Sequence, residues 1–362
     1  MVEYFKDLTI QSLVRERFSK NLKNGRLAHA YIFYGPEGAG KEAMALEIAK
    51  ALNCEHESIK PCNECPPCTK INQLKHPDVK FIFPEAKSWN PQDIQNKYHQ
   101  KADNPYSRIE YSGTTSISIE KIRDLKNEAK YTPYEALKRV FIITEAEKMT
   151  REGANSFLKL LEEPPDNLII ILINCTLSTI LDTIKSRCQI VYFPSLSIDE
   201  ALSVVKNYRD ISDEDHKLVR ISQANLKTLF DILDQEIDEK RKLVYEFLKA
   251  AASGNSFKIQ EAIDMITQRR DKNFLLEVLN LLILWFQDTI HLISTQDKSG
   301  LVNVDYEEEI DRFAKSYYNS DFEVIVREIE NAVSNVRNNV YAPLILTVLG
   351  IQIKKHLCRT SV

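Results

Sequence analysis

Apolar and polar positions alternate along the first half of the chain in two rhythms, one helical and one extended. Residues 9–24 carry amphipathic helical spacing that Gly25 stops, and 31–34 are a short apolar run entering a glycine-rich turn. Helical spacing returns over 41–52. A strand is expected at 79–83, followed by a polar stretch over 84–113 that holds Trp89, several Asn and Gln, and little periodicity. That stretch reads as a surface insertion. Beyond it the pattern predicts a helix over 119–130, a strand over 140–144, a helix over 151–162, a strand over 168–173 and another near 189–193. Strands alternating with helices, the strands apolar enough to be buried, predict a parallel α/β sheet.

Pro194 ends that rhythm, and only helical spacing follows: 198–208, 212–222, 225–235, 238–252, 256–269, 273–294, 305–318, 321–337 and 341–356. Gly254 and the segment 295–300 mark turns. The most apolar segment, 274–293, is interrupted by Glu277, Asn280, Gln287 and Asp288. It reads as a buried helix, because a membrane span needs about 20 mostly apolar residues. The chain has 362 residues, which predicts two or three domains with cores large enough to need no disulfides. A net charge of -4 argues against a strongly basic nucleic-acid scaffold and leaves room for a local patch. The first ten residues have no apolar stretch following a basic one, so a cytoplasmic protein is expected. In that compartment thiols stay reduced, and clustered cysteines point to metal before disulfides.

The turn after the first buried strand is Gly35-Pro36-Glu37-Gly38-Ala39-Gly40-Lys41. It follows a strand and opens a helix, which is the context a phosphate-binding loop requires. Gly35, Gly38 and Gly40 let backbone N–H groups close around a phosphate, and Lys41 reaches the outer phosphates. The next position calls for a Ser or Thr hydroxyl to hold Mg²⁺, but Glu42 stands there. The strand at 139–143 should end in a metal-holding Asp, but it ends in Thr144, followed by Glu145. Two readings fit. Either the loop is a nucleotide site that takes ATP or ADP weakly or not at all, or it survives as a turn the fold needs. Both predict no useful hydrolysis.

Cys54, Cys62, Cys65 and Cys68 follow the spacing C-x7-C-x2-C-x2-C, with Pro61, Pro66 and Pro67 stiffening the turns. Four thiolates with no open position are the ligand set of a structural, tetrahedral zinc site. Disulfides or chance are the alternatives, and four cysteines within fifteen residues make chance the weaker one. Cys175 and Cys188 lie in or next to strands and are expected to be buried, while Cys358 is uninformative.

One segment is more specific. Asn155 to Leu161, then Glu162-Glu163-Pro164-Pro165, is a helix ended by two prolines. A buried strand closing at Asn174 follows, and then Thr183-Ile184-Lys185-Ser186-Arg187-Cys188. Together with Leu27-Ala28-His29-Ala30-Tyr31, this resembles the clamp-loader branch of the AAA+ ATPases, closely over the first 195 residues. The cysteine cluster just after the loop helix is similar to that of bacterial loader subunits. The motor type of that branch (gamma/tau) keeps Lys-Thr or Lys-Ser in its loop and a strand ending in Asp-Glu. This chain departs from both and is similar to the delta-prime type.

The resemblance implies a P-loop AAA+ parallel-sheet domain over 1–195 with a zinc module at 54–68. It implies a small helical lid over 196–237 and an all-α collar over 238–362, whose last helix resembles the family's from Asn338 to Leu344. It implies that Arg187 reaches into a neighbouring subunit's ATP site, where a guanidinium offsets charge developing on the transferred phosphoryl group. From spacing alone Arg187 reads as a surface salt bridge. Asn174 occupies the sensor position, and Lys227 falls near the place of a phosphate-sensing lid Arg, although a solvated helix-face lysine is the plainer reading. The implied partners are the motor subunit and delta in a hetero-pentamer, the sliding clamp, and primed DNA through the assembly. The helix over 119–130, with Lys121, Arg123, Lys126 and Lys130, is a candidate DNA contact or a solvated face. No enzymatic activity of the isolated chain is expected. The rival readings are an active motor ATPase and a zinc-bearing nucleic-acid-binding AAA+ module.

Overall fold

In this computed structural model the described residues are 2–109, 113–233, 237–269, 271–298 and 300–357. The expected Cys358 lies outside them. The chain folds as two compact units, Met1–Asp231 and Ile232–Val362.

In chain order the first unit comprises β1 (Glu3–Tyr4), α1 (Ser12–Lys23), β2 (Ala30–Tyr34), α2 (Lys41–Asn53), β3 (Ile59–Lys60), α3 (Pro66–Asn72), β4 (Val79–Ile82), β5 (Glu85–Ala86), α4 (Pro91–Asp103) and β6 (Thr115–Ser116). It continues with α5 (Ile119–Ala129), β7 (Arg139–Thr144), α6 (Arg151–Glu162), β8 (Leu168–Asn174), α7 (Asp182–Lys185), β9 (Gln189–Tyr192), α8 (Ile198–Val205), α9 (Asp213–Ile221) and α10 (Leu226–Leu233), whose last two residues already belong to the second unit.

Five strands form one parallel sheet in the order β4-β7-β8-β2-β9. β7 and β8 are buried at every residue, which is why their sequences are continuous Ile/Val/Leu runs and not alternating ones. On one face Ile32, Phe141, Ile143, Ile170 and Leu172 meet Ile122 and Leu125 of α5 and Phe157, Leu160 and Leu161 of α6. On the other, α2 packs on β7 and β8, and the rings of Phe18, Tyr31, Phe33 and Phe193 lie against one another. The register sets Tyr34 beside Asn174 and Thr144 beside Ile173. The strands therefore end together, and their carboxyl ends form the edge where parallel α/β sheets bind ligands.

The polar stretch over 84–113, expected as a surface insertion with little periodicity, carries regular structure among its described residues. It contains α4, and β5 pairs antiparallel with β6 to close it. The helix starts because Asn90 and Asp93 form a reciprocal capping box around Pro91. Its inward residues, Ile94, Tyr98 and Lys101, recur at helical spacing, but only the first is aliphatic. That composition hid the helix from a hydrophobic reading.

The second unit is all helical among the described residues: α11 (Ile237–Ser253), α12 (Ser256–Thr267), α13 (Lys272–Thr295), α14 (Glu307–Ser316), α15 (Phe322–Arg337) and α16 (Ala342–His356). Its central helix includes a stretch, Phe274–Thr295, that is long and apolar enough to cross a membrane by length and composition. Within the unit it is a core helix: Leu279, Leu282, Trp285 and Phe286 are buried, and α11, α14 and α15 pack around it.

Candidate phosphate loop and metal cluster

The loop between β2 and α2 turns on three glycines with left-handed or related backbones, at Gly35, Gly38 and Gly40. Gly40 stands at the N-terminal cap of α2. At Gly35 a side chain is excluded outright, since a Cβ would lie 2.0 Å from the Phe193 carbonyl oxygen. Lys41 is buried, and its ammonium donates to the carbonyls of Gly35 (2.6 Å) and Pro36. Burial pulls its pKa below the ordinary lysine value.

Glu42 is 8% exposed, and its carboxylate is held from two directions. Lys101, from the last turn of α4, donates to Oε2, and Lys227, from the first turn of α10, lies 3.1 Å from Oε1. Lys227 also lies 3.7 Å from Glu37. Burial alone would raise the Glu42 acid, but the ammonium groups of Lys101 and Lys227 outweigh it and hold the pKa at about 2. Burial would likewise lower Lys227, but Glu42 and Glu37 overcome it and raise the value. Lys227 is therefore not a solvated helix-face residue, because the fold turns it onto the loop. Arg108 completes the network, 3.2 Å from Glu37 and 2.9 Å from Asp231.

At the ends of the neighbouring strands, Thr144 is buried and donates its hydroxyl to the Ile82 carbonyl (3.3 Å). Glu145 pairs with Lys148 at 2.6 Å. Asn174 is buried and donates from Nδ2 to the Thr179 hydroxyl at 3.0 Å. Cys175 is exposed and not buried as expected, because β8 has ended and the chain turns outward at the edge of the loop site. Cys188 is half-buried against the sheet core.

Arg187 follows α7, partly exposed, and forms an ion pair with Glu162 (2.8 Å) while donating to the Thr183 carbonyl (2.8 Å). In α5, Lys121 is ion-paired with Glu85 and lies over the Phe83 ring, while Arg123, and Lys130 at the helix's C-terminal cap, are exposed.

The sulfurs of Cys54, Cys62, Cys65 and Cys68 all lie within 4.8 Å of one another, those of Cys54 and Cys65 being 3.9 Å apart. A tetrahedral site with Zn–S near ~2.3 Å sets its sulfurs about 3.8 Å apart, so the cluster fits such an ion. The backbone N–H of Cys65 donates to the Cys62 sulfur at 3.3 Å, a contact that favours thiolate. β3, between the first two ligands, pairs with β1, so the module is sewn to the N-terminal strand.

Sequence reasoning singled out Gly35, Gly38, Gly40, Lys41, the four cysteines and Arg187. The fold gathers the first four into one loop and the cysteines into one cluster, and it leaves Arg187 on a separate surface. It adds Lys101 and Arg108 to the loop, and it brings onto the loop Lys227, which the resemblance had set near a phosphate-sensing position. The spacing of Ile94, Tyr98 and Lys101 was the available signal for the first of these.

A parallel sheet with this strand order, a glycine loop at its edge, and a four-cysteine cluster that can hold a metal define a P-loop protein of the AAA+ type. The sequence places it further. Residues 10–197 match the family model described as DNA polymerase III, delta subunit. The chain is 28% identical over 294 residues to DNA polymerase III subunit delta' of Bacillus subtilis, covering 80% of each. It is 27% identical to subunit tau of the same organism over 72% of this chain, and it spans 40% of that longer relative. Against Escherichia coli tau the identity is 28%, over 64% of this chain and 33% of the relative. The chain belongs to the DNA polymerase III delta-subunit family of AAA+ clamp-loader-related proteins.

Proposed function

We propose that this chain is a non-hydrolysing, delta-prime-type subunit of the replicative clamp loader, acting in the cytoplasm during DNA replication. The observation that carries this reading is Glu42, a carboxylate ion-paired to Lys101 and Lys227 where a motor ATPase needs a hydroxyl for Mg²⁺. Thr144 supports it, since its hydroxyl is committed to a strand carbonyl where a motor needs a metal-binding carboxylate. Similarity to a delta' relative over 80% of the chain supports the choice of subunit type.

In this reading residues 1–195 are the AAA+ domain, 196–237 its lid and 238–362 a collar that joins motor and delta subunits. The four cysteines hold a structural zinc that pins the segment after α2. Arg187 is displaced from Glu162 on assembly and placed against the phosphates of a neighbouring motor subunit. Both partners in that exchange are anionic, so the guanidinium trades one charge-assisted contact for a stronger bidentate one. The assembly then sets the sliding clamp on primed DNA.

The test is DNA- and clamp-stimulated ATP turnover by a loader reconstituted from this chain, its motor subunit and delta. Arg187→Ala is expected to lower turnover at the one motor site it faces by about 10³-fold or more, and so to lower the loader's stimulated turnover, with the assembly intact by size. Unchanged turnover in an intact assembly would sink the finger role. ATP hydrolysis by the isolated chain would return the motor reading.

A further inference from the structure

The segment between β4 and α5 reaches the loop with more than Lys101. All three N–H bonds of that ammonium are taken: by Glu42, by the Pro105 carbonyl at 3.1 Å, and by the Ser107 carbonyl. Lys101 is 2% exposed, and a lysine buried this deeply is tolerated only when fully paired. Two residues past the helix cap, the Tyr106 ring stacks on Phe230 of α10, 5.9 Å between centroids with the planes 9° apart. Tyr208 closes on the same Phe230 edge-on at 5.0 Å. Arg108 then ties Glu37 of the loop to Asp231 of α10.

The start of α10 is also laid directly on the loop. The Leu226 N–H donates to the Gly38 carbonyl at 3.2 Å, and a Cβ at Gly38 would meet Asn225 Oδ1 at 1.8 Å. The backbone around Gly38 is thus covered by protein.

We propose that Glu42 is the loop's internal anion, and that the segment 84–109 straps α10 over the loop so that the site rejects polyphosphates. Lys41, Lys101 and Lys227 are the cations of a phosphate cradle, and the chain answers two of them with its own carboxylate. An incoming triphosphate meets that carboxylate at close range. To enter, it must also break two buried ion pairs and lift the start of α10. Without the charge at position 42, Lys101 keeps only its two carbonyl acceptors and Lys227 only the more distant Glu37, and an external anion becomes their best added partner. This inference deepens the non-hydrolysing reading and does not depend on Arg187.

The experiment is calorimetric titration of the full chain with inorganic tripolyphosphate and with ATP, comparing wild type, Glu42→Gln and Glu42→Gln/Lys227→Met. Thermal melting checks that each is folded. Wild type is expected to bind neither ligand measurably. Glu42→Gln should bind tripolyphosphate at least about tenfold tighter, the scale expected when one opposing buried charge is removed, and the second substitution should abolish the gain. A folded Glu42→Gln chain with no gain overturns the proposal, as does wild type binding as tightly as the variant. Should Glu42→Gln fail to fold, amide hydrogen exchange of wild type with tripolyphosphate decides. Unchanged exchange at 98–109 and 225–231 supports the strap, and altered exchange there overturns it. Wild type that binds ATP without hydrolysing it defeats this inference alone. Binding with hydrolysis defeats the non-hydrolysing reading as well.

Discussion

Asp78 is 1% exposed and accepts hydrogen bonds from the backbone N–H groups of Tyr134 (2.9 Å), Glu135 (2.9 Å) and Ala136 (3.1 Å), and from Arg139 (2.7 Å). Burial would raise its acid, but these donors outweigh it and hold the pKa at about 2. A carboxyl depressed in the folded state stabilises above its unfolded value, and that stability is lost as pH falls through the folded value. Asp78 should therefore contribute about 2 kcal/mol at neutral pH, lost between roughly pH 4 and pH 2. Asp78→Asn should cost roughly 3 kcal/mol at pH 7, because the amide leaves the buried Arg139 without its countercharge and cannot accept from every donor. It should also flatten that acid limb. Urea unfolding at pH 7 and pH 3 checks both, and equal loss at the two pH values would contradict the charge argument.

At the scale of elements, α4 shows how a short motif makes a helix from a polar sequence. Its capping box supplies the start, while its inward face carries one aliphatic residue, Ile94, beside Tyr98 and Lys101. Asn90→Ala should cost about 1 kcal/mol of stability, and because α4 carries Lys101 it should loosen the phosphate loop as well. Faster amide exchange at 98–109 than in wild type is the expected reading. The cysteine module is the second such element. Its sulfurs converge on a cluster that fits a metal, although its only regular structures are the short β3 and α3. Elemental analysis should find zinc in the purified chain and lose it in Cys68→Ser. Loss of about 3 kcal/mol would lower the melting temperature of a unit this size by roughly 6–12 °C. A chain that melts unchanged after chelation would make the cluster dispensable.

Across the whole molecule, the two units each contain one of the chain's 2 tryptophans, Trp89 in the first and Trp285 in the second. Within the second unit α16 buries Ile345, Leu346, Leu349 and Ile353. Its opposite stripe leaves Leu344, Val348 and Ile351 exposed at 55%, 47% and 59%. These side chains contribute little to the unit's own core, and in the proposed collar they meet other subunits. Leu344→Glu/Ile351→Glu should leave the melting of the isolated chain within about 0.5 kcal/mol of wild type and prevent co-elution with motor and delta subunits. Normal co-elution would place the collar contact elsewhere.

The sequence by itself determined the elements whose chemistry is local. Continuous apolar runs named the central strands β7 and β8, since strands buried on both faces take that composition. A strand-to-helix glycine turn named the loop, and close cysteine spacing named the cluster, because each is set by a few neighbouring residues. Position 42 could be read as wrong for a metal for the same reason. What a lone carboxylate would do there was not legible. Its answer comes from Lys101, 59 residues away, and from Lys227 beyond the sheet, and no periodicity links three charges so far apart in sequence. The same holds for α4, whose inward face is defined by a buried salt bridge and not by hydrophobicity, and for Cys175, which the chain's turn at the end of β8 exposes. Burial of charge depends on which partners the fold delivers, and only the tertiary structure decides that.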